Sequence, residues 1–117
     1  MLTLTSGKSS LLDLLVQGCS DADANVRKFS CFAIGNAAFH SDELYSALAA
    51  SIPSLRKALS DEDEKTRANA AGALGNLCRN NGSLSGILSR ERVVEALMVM
   101  VMNDTSTSCK VRIIWFR

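Results

Sequence analysis

The sequence is poor in residues that interrupt helices and in residues that build polar active sites. Its 117 residues include one proline and one histidine, and only 5% are aromatic. Because proline breaks helix interiors, its scarcity is compatible with long helices. The lone His40 has no partner nucleophile, metal-ligand cluster or catalytic carboxylate set at a recognisable spacing. We therefore expect a helical chain that is not an enzyme and that needs no cofactor.

The sequence also lacks a surplus of charge of either sign. Thirteen basic residues face twelve acidic ones, which leaves a net charge of +1. Nucleic-acid binding normally requires a clustered basic surplus, so no nucleic-acid partner is expected. The longest apolar run, residues 93–102, contains Glu95 and covers about half the length that spans a bilayer. We expect no signal peptide, no membrane association and a cytoplasmic location.

Cysteine is present, but no pair has the spacing of a zinc or redox motif. The four cysteines are scattered at positions 19, 31, 78 and 109. This pattern is more typical of reduced cysteines in an intracellular protein than of a disulfide framework. We expect no metal site.

A repeated segment is the strongest positive feature of the sequence. Residues 61–80, DEDEKTRANAAGALGNLCRN, follow the plan of residues 21–40, DADANVRKFSCFAIGNAAFH. Each segment has aspartates at its first and third positions, an arginine at its seventh and a Gly-Asn pair near its end. Apolar residues recur at helical spacing in both. A period near 40 residues with helical patterning is typical of a stacked α-repeat.

The repeat predicts an all-α fold built as an α-solenoid of about two and a half repeats. Residues 1–117 form a single domain, with repeats at about 8–40, 41–81 and a truncated 82–117, and the chain is expected to be a fragment of a larger protein. Helices are predicted at 9–19, 23–39, 41–50, 53–59, 64–79, 83–90 and 91–102, followed by a last segment at 109–117. Residues 1–7 are predicted to be unstructured.

Two local features are expected to set the helix boundaries. Pro53 fits the first turn of a helix, where a missing N–H costs nothing. Asp61 with Glu64 resembles a capping box in which aspartate replaces serine or threonine.

The ends of the two long helices resemble armadillo repeats. The residues that carry the resemblance are Ala70–Leu77, AAGALGNL, and more loosely Cys31–Ala37, CFAIGNA. The resemblance implies three-helix repeats stacked into a right-handed superhelix. It also implies that asparagines on the concave face can hold an extended peptide. Importin-type grooves have a tryptophan four residues before the asparagine; here Phe32 and Gly72 stand there, which argues against recognition of nuclear localisation signals.

A narrower resemblance is to the C-terminal, non-catalytic region of Fused-type serine/threonine kinases. It rests on residues 25–38, residues 47–61 and the ALGNL of residues 73–77. No glycine-rich loop, HRD or DFG motif is present. The resemblance implies an interaction scaffold associated with Hedgehog signalling and axonemal cilia in animals, or with cytokinesis in plants. A location near the cytoskeleton or a cilium is therefore expected.

The candidate partner-binding residues share one face of each long helix. At 100° per residue, Phe29 and Phe32 lie near Asn36, and Lys65 and Asn69 lie near Asn76. An asparagine amide both donates and accepts, so such a row can hold a peptide backbone. The alternative is that each amide ties its own repeat to a neighbour. The two phenylalanines either form an apolar patch for a partner or pack under an adjacent helix.

Two further expectations concern the rest of the surface. Arg27 and Arg67 are expected to brace the acidic turns rather than bind a ligand. Apolar faces at residues 11–16 or 93–102 are expected to remain exposed and to meet further repeats or a second copy of the chain. The function predicted is binding of a protein or an extended peptide; the alternatives are a structural spacer without a ligand groove and a self-associating segment.

Overall fold

The computed structural model describes residues 4–40, 48–79 and 84–104, most of which are helical. Within these ranges no strand occurs. The helices are α1 (Leu4–Gly18), α2 (Ala24–His40), a 3-10 turn (Ala49–Ser51), α3 (Ile52–Ala58), α4 (Glu64–Arg79), α5 (Ser85–Arg90) and α6 (Val93–Asn103).

The helical prediction is confirmed, and one boundary was wrong. Residues 1–7 were expected to be unstructured, yet α1 begins at Leu4. No proline interrupts residues 4–7, so the helix that follows extends back to Leu4. Pro53 occupies the first turn of α3, as predicted. The predicted helix start at Ser41, the helix end at residues 80–82 and the segment at 109–117 lie outside the described residues.

The same acidic turn precedes α2 and α4. Asp23 accepts hydrogen bonds from the backbone N–H groups of Asn25 (2.7 Å) and Val26 (3.4 Å). Asp63 accepts one from the N–H of Thr66 at 2.8 Å. Each aspartate directly precedes its helix and so satisfies amide groups that have no partner within the helix.

The predicted capping box at Asp61 and Glu64 was therefore wrong. The cap is Asp63, because this residue stands immediately before the first helical residue, Glu64. Asp61 instead accepts a hydrogen bond from the N–H of Asp63 at 2.8 Å and pairs with an arginine of the preceding repeat.

The long helices α2 and α4 pack side by side and form the most extensive helix contact among the described residues. Helix α1 covers α2, α3 covers α4, and α5 contacts α6. Gly35 lies at the contact of the long helices, where an added Cβ would come within 3.4 Å of Cα of Ala73. Small residues thus allow the helices to approach closely, and the chain forms an all-α solenoid of repeats.

The core runs through the contacts between successive helices. Its largest fully buried apolar side chains are Ile34, Leu48, Ile52, Leu55, Leu74, Leu77, Leu84 and Val93. Arg56 joins α3 to the turn before α6 by donating from Nε to the carbonyl of Glu91 at 3.1 Å. Of the helices in the described part of the chain, none is both long and apolar enough to cross a bilayer.

Candidate functional site

A shallow groove lies where α2 and α4 pack side by side. Its cavity volume is about 140 Å³. We call it the α2–α4 groove; it is lined by Phe32, Gly35, Asn36, Phe39, Asn69, Gly72, Ala73 and Asn76. Gly35, Gly72 and Ala73 form its buried floor, between the larger side chains. None of these lining residues is acidic.

Helix α2 carries a row of exposed aromatic side chains along this groove. Phe29, Phe32 and Phe39 expose 61%, 46% and 51% of their surface. Their spacing of three and then seven residues keeps them on one face of an α-helix. Phe32 and Phe39 line the groove, whereas Phe29 does not. The predicted patch at Phe29 and Phe32 is thus exposed rather than packed under a described helix.

The asparagines of α4 donate to backbone carbonyls of α2. Asn69 Nδ2 donates to the carbonyl of Lys28 at 3.0 Å, and Asn76 Nδ2 donates to that of Gly35 at 2.9 Å. Asn76 is 7% exposed, and its buried Oδ1 has no hydrogen-bond partner among the described residues. The amide nitrogen of each asparagine therefore hydrogen-bonds its repeat to the preceding one.

Asn36, which corresponds to Asn76 in the first repeat, is exposed rather than buried. It also lines the groove. The groove thus brings together four of the six predicted residues: Phe32, Asn36, Asn69 and Asn76. Lys65 is exposed on α4 but, like Phe29, does not line the groove. A role for these residues in holding a partner stays a prediction.

Cationic side chains stand beside two of the exposed rings. Lys28 Nζ lies 4.6 Å from the ring centroid of Phe29, and the guanidinium carbon of Arg79 lies 5.1 Å from that of Phe39. Both distances are within the range of a cation–π interaction. Phe39 and Arg79 were not among the residues predicted from the sequence, although the position of Phe39, three residues after Asn36, placed it on the same helix face.

Arginines link each acidic turn to the next, on residues outside the groove. Arg27 Nε and Nη2 donate to the two carboxylate oxygens of Asp61 at 2.7 and 3.0 Å. Arg67 Nε donates to Asp104 at 2.9 Å in the same way. Each arginine also donates from Nη1 to carbonyls of its own turn, Asp21 in one repeat and Asp61 in the next. The predicted bracing role of both arginines is confirmed.

Two of the residues that stabilise these turns, Arg27 and Asp63, have shifted pKa values. The hydrogen bonds to Asp61 raise the pKa of Arg27 and favour its charged form. The hydroxyl and backbone N–H of Thr66 lower the pKa of Asp63 by stabilising its carboxylate. Both shifts stabilise the turn in its ionised state. In the part of the chain that the structure describes, no group of three or more His, Cys, Asp or Glu side chains is arranged to hold a metal ion.

Comparison with known proteins adds independent evidence on the family. The sequence model for HEAT repeats matches residues 12–110. Serine/threonine-protein kinase 36 of Pongo abelii is 39% identical over 106 residues, and that of Mus musculus is 40% identical over 103 residues. These matches cover 88% of this chain but 8% of each relative. They confirm the resemblance to a Fused-like kinase, while the chain spans only a small part of its relatives' length.

The comparison with solved structures found no match. The repeat architecture therefore rests on the helices described above and on the HEAT-repeat match.

Proposed function

This chain belongs to the HEAT-repeat family, and we propose that it is a non-catalytic interaction module that binds an extended segment of another protein in the α2–α4 groove. The exposed aromatic row of α2 is the observation that carries this proposal. Folded proteins rarely leave several large aromatic side chains exposed in line, and such rows are common at protein-binding surfaces.

The charges around the groove favour a particular kind of partner segment. Lys28 and Arg79 stand beside the aromatic row, Lys65 is exposed on α4, and none of the residues lining the groove is acidic. A segment that alternates apolar and acidic side chains would place its apolar groups against the rings and its carboxylates near these cations. The amides of Asn36 and Asn69 add donors and acceptors for its backbone.

The names of the relatives support a proposal about the larger protein. Both are named serine/threonine-protein kinases, and the match covers a small part of each. We propose that the module serves a larger Fused-like kinase by recruiting a partner, in the cytoplasm and near the cytoskeleton or a cilium. Catalysis would then belong to another part of that protein.

The groove proposal is tested by selecting extended peptides of random sequence on the folded chain. We expect the selected peptides to be rich in apolar and acidic residues. A Phe32→Ser, Phe39→Ser variant is expected to bind them at least about tenfold more weakly, because truncated aromatic anchors carry much of an interface's energy. Fluorescence anisotropy measures the affinities, and circular dichroism checks that the variant remains folded.

A matched control uses equally exposed apolar residues elsewhere. Val94 and Met98 lie on α6, away from the groove, so Val94→Ser, Met98→Ser should leave peptide affinity unchanged. Equal losses in both variants, or no enrichment of peptides, would reject the groove as the binding site.

The bonds made by the α4 asparagines favour a second candidate function, that of a structural spacer. Asn69 and Asn76 hold α4 against the carbonyls of α2, as a device that keeps repeats in register would do. A spacer predicts that the selection above recovers no peptide, whereas the interaction module predicts saturable binding.

A further inference from the structure

Cys19 and Cys31 meet where the end of α1 packs against α2. Cys19 follows the last residue of α1, Gly18, and Cys31 lies within α2. The Cys31 thiol donates to the Cys19 sulfur across 3.8 Å, and the two residues are 4% and 0% exposed. A buried cysteine is usually an inert small apolar residue. Two buried sulfur atoms in direct contact, by contrast, can be joined by oxidation to a disulfide.

We propose that Cys19 and Cys31 form a reversible disulfide in the folded protein, which makes this pair a site of oxidation by peroxides. A disulfide bond is about 2.05 Å long, so the sulfur atoms must approach by less than about 2 Å. Cys19 belongs to a short turn rather than to a helix interior, so its backbone is not held by a continuous helix.

The surroundings of the two thiols assign them different roles. The hydrogen bond from Cys31 lowers the pKa of Cys19, because it stabilises the thiolate. Donation of that bond and burial raise the pKa of Cys31. Cys19 also lines an open cavity of about 430 Å³ beside Asp21 and Arg27, which gives a small oxidant a path to it. Cys19 is therefore the attacking thiol and Cys31 the resolving one.

The reaction balances with hydrogen peroxide as the oxidant. The Cys19 thiolate attacks one peroxide oxygen, the O–O bond breaks, and the departing hydroxide takes a proton to become water. The product is a sulfenic acid on Cys19. Cys31 then loses its proton and its sulfur attacks that of Cys19, which breaks the S–O bond and releases a second water. Two thiols lose two electrons, and one peroxide is reduced to two waters.

The disulfide would fasten the end of α1 to α2 beside the first link between repeats. Arg27 and Asp61, which form that link, line the same cavity as Cys19. Closing the loop between residues 19 and 31 restricts the unfolded chain. Oxidation is therefore expected to raise the melting temperature by several degrees, and a thiol reductant is expected to reverse the change.

The test uses a Cys78→Ser, Cys109→Ser variant, in which only the proposed pair remains. The folded variant is treated with hydrogen peroxide, blocked with N-ethylmaleimide and measured by intact mass spectrometry. We expect a mass loss of about 2 Da, which corresponds to two hydrogens, and no alkylation. Trypsin should then release residues 9–27 joined to residues 29–56, and dithiothreitol should separate them.

A second variant keeps the proposal falsifiable if the first is unstable. With Cys31→Ser alone, peroxide should leave a sulfenic acid on Cys19 that dimedone labels, because the proposed resolving thiol is gone. The proposal is overturned if the two thiols stay reduced in the folded wild type while other cysteines react. It is equally overturned if the cross-link forms only in denaturant.

Discussion

At the scale of single residues, each acidic turn uses its two aspartates for different purposes. Asp61 accepts hydrogen bonds from the guanidinium of Arg27, whereas Asp63 accepts hydrogen bonds from the hydroxyl and the N–H of Thr66. In the first turn, Asp21 accepts the N–H of Asp23 at 2.9 Å, and Asp23 caps α2. Each turn is therefore defined by two aspartates, two positions apart, and a following arginine. These residues hold the turn to its own helix and to the next repeat.

The cap on α4 can be tested by Asp63→Ala. At neutral pH we expect the free energy of unfolding to fall by about 1 kcal/mol, because two donors of Thr66 lose their acceptor. Urea denaturation followed by circular dichroism measures the change. Glu62→Ala is the matched control, since Glu62 is an exposed acid in the same turn, and it should change stability by less than about 0.5 kcal/mol.

The cost of Asp63→Ala should also depend on pH. The pKa of Asp63 is lower in the folded chain than its usual value, so the carboxylate stabilises the fold fully above the unfolded pKa of about 4. This contribution is lost as the pH falls through the lowered, folded pKa. The free energies of unfolding of the variant and the wild type should therefore converge as the pH falls below about 4. A constant difference between them over that range would contradict the assigned role.

At the scale of elements, the contact of α2 with α4 combines small residues with amide donors. Gly35 and Ala73 let the helices approach closely, and this approach brings the Gly35 carbonyl within 2.9 Å of Asn76 Nδ2. Close packing and hydrogen bonding thus depend on the same residue, Gly35. An asparagine in this position serves the stacking of repeats even when no ligand is bound.

The Asn76→Asp substitution separates this role from that of a surface asparagine. The aspartate keeps the shape but turns a carboxylate oxygen toward the carbonyl of Gly35 in a buried site. We expect a loss of about 2 kcal/mol or more at neutral pH, because a buried charge gains no partner and a donor is lost. Thermal and urea unfolding measure the loss.

Asn36→Asp is the matched control, since it is the same change at the corresponding position of the first repeat. Asn36 is exposed, so its substitution should alter stability by less than about 0.5 kcal/mol. If both substitutions cost the same, the inter-repeat role of Asn76 is wrong. If Asn36→Asp instead weakens peptide binding without loss of stability, Asn36 belongs to the binding surface.

The sequence predicted much of this arrangement, and the part it missed has a physical cause. Helical periodicity identified the elements, and the alignment of Asp61 and Arg67 with Asp21 and Arg27 identified the repeat. Spacing along a helix cannot decide whether an asparagine amide faces a ligand or a neighbouring helix, so both remained open for Asn76. The Cys19–Cys31 contact was also missed, because no short spacing motif announces two cysteines brought together by the packing of α1 on α2.

At the scale of the whole molecule, the arginine–aspartate salt bridges between repeats point in one direction along the chain. The arginine of one turn reaches the aspartate of the next, from Arg27 to Asp61 and from Arg67 to Asp104. Asp21 occupies the corresponding position in the first turn, and among the described residues no arginine forms a salt bridge with its carboxylate. The first repeat thus has an aspartate at the position that accepts an arginine side chain in the later repeats.

The outer helices of the described part are also apolar on their exposed faces. On α1, Leu11 and Leu14 are 57% and 62% exposed. The exposed apolar residues of α6 are Val94, Met98, Val99 and Met102. Because repeats cover such faces when they stack, we propose that a second copy of the chain covers them in the isolated protein, with α6 of one copy against α1 of the next.

Sedimentation velocity across a range of concentrations tests this association. We expect the weight-average sedimentation coefficient to rise with concentration, because a head-to-tail contact buries the apolar faces of both partners. Met98→Lys, Met102→Lys should keep the chain monomeric at concentrations where the wild type associates, since lysine makes burial of that face costly. Phe32→Ser, Phe39→Ser is the control: it removes exposed apolar surface of similar size from the α2–α4 groove and should leave association unchanged. A wild-type chain that stays monomeric at every concentration would refute contact between copies, and a loss of association in the groove variant alone would place the contact on α2 instead of on the outer helices.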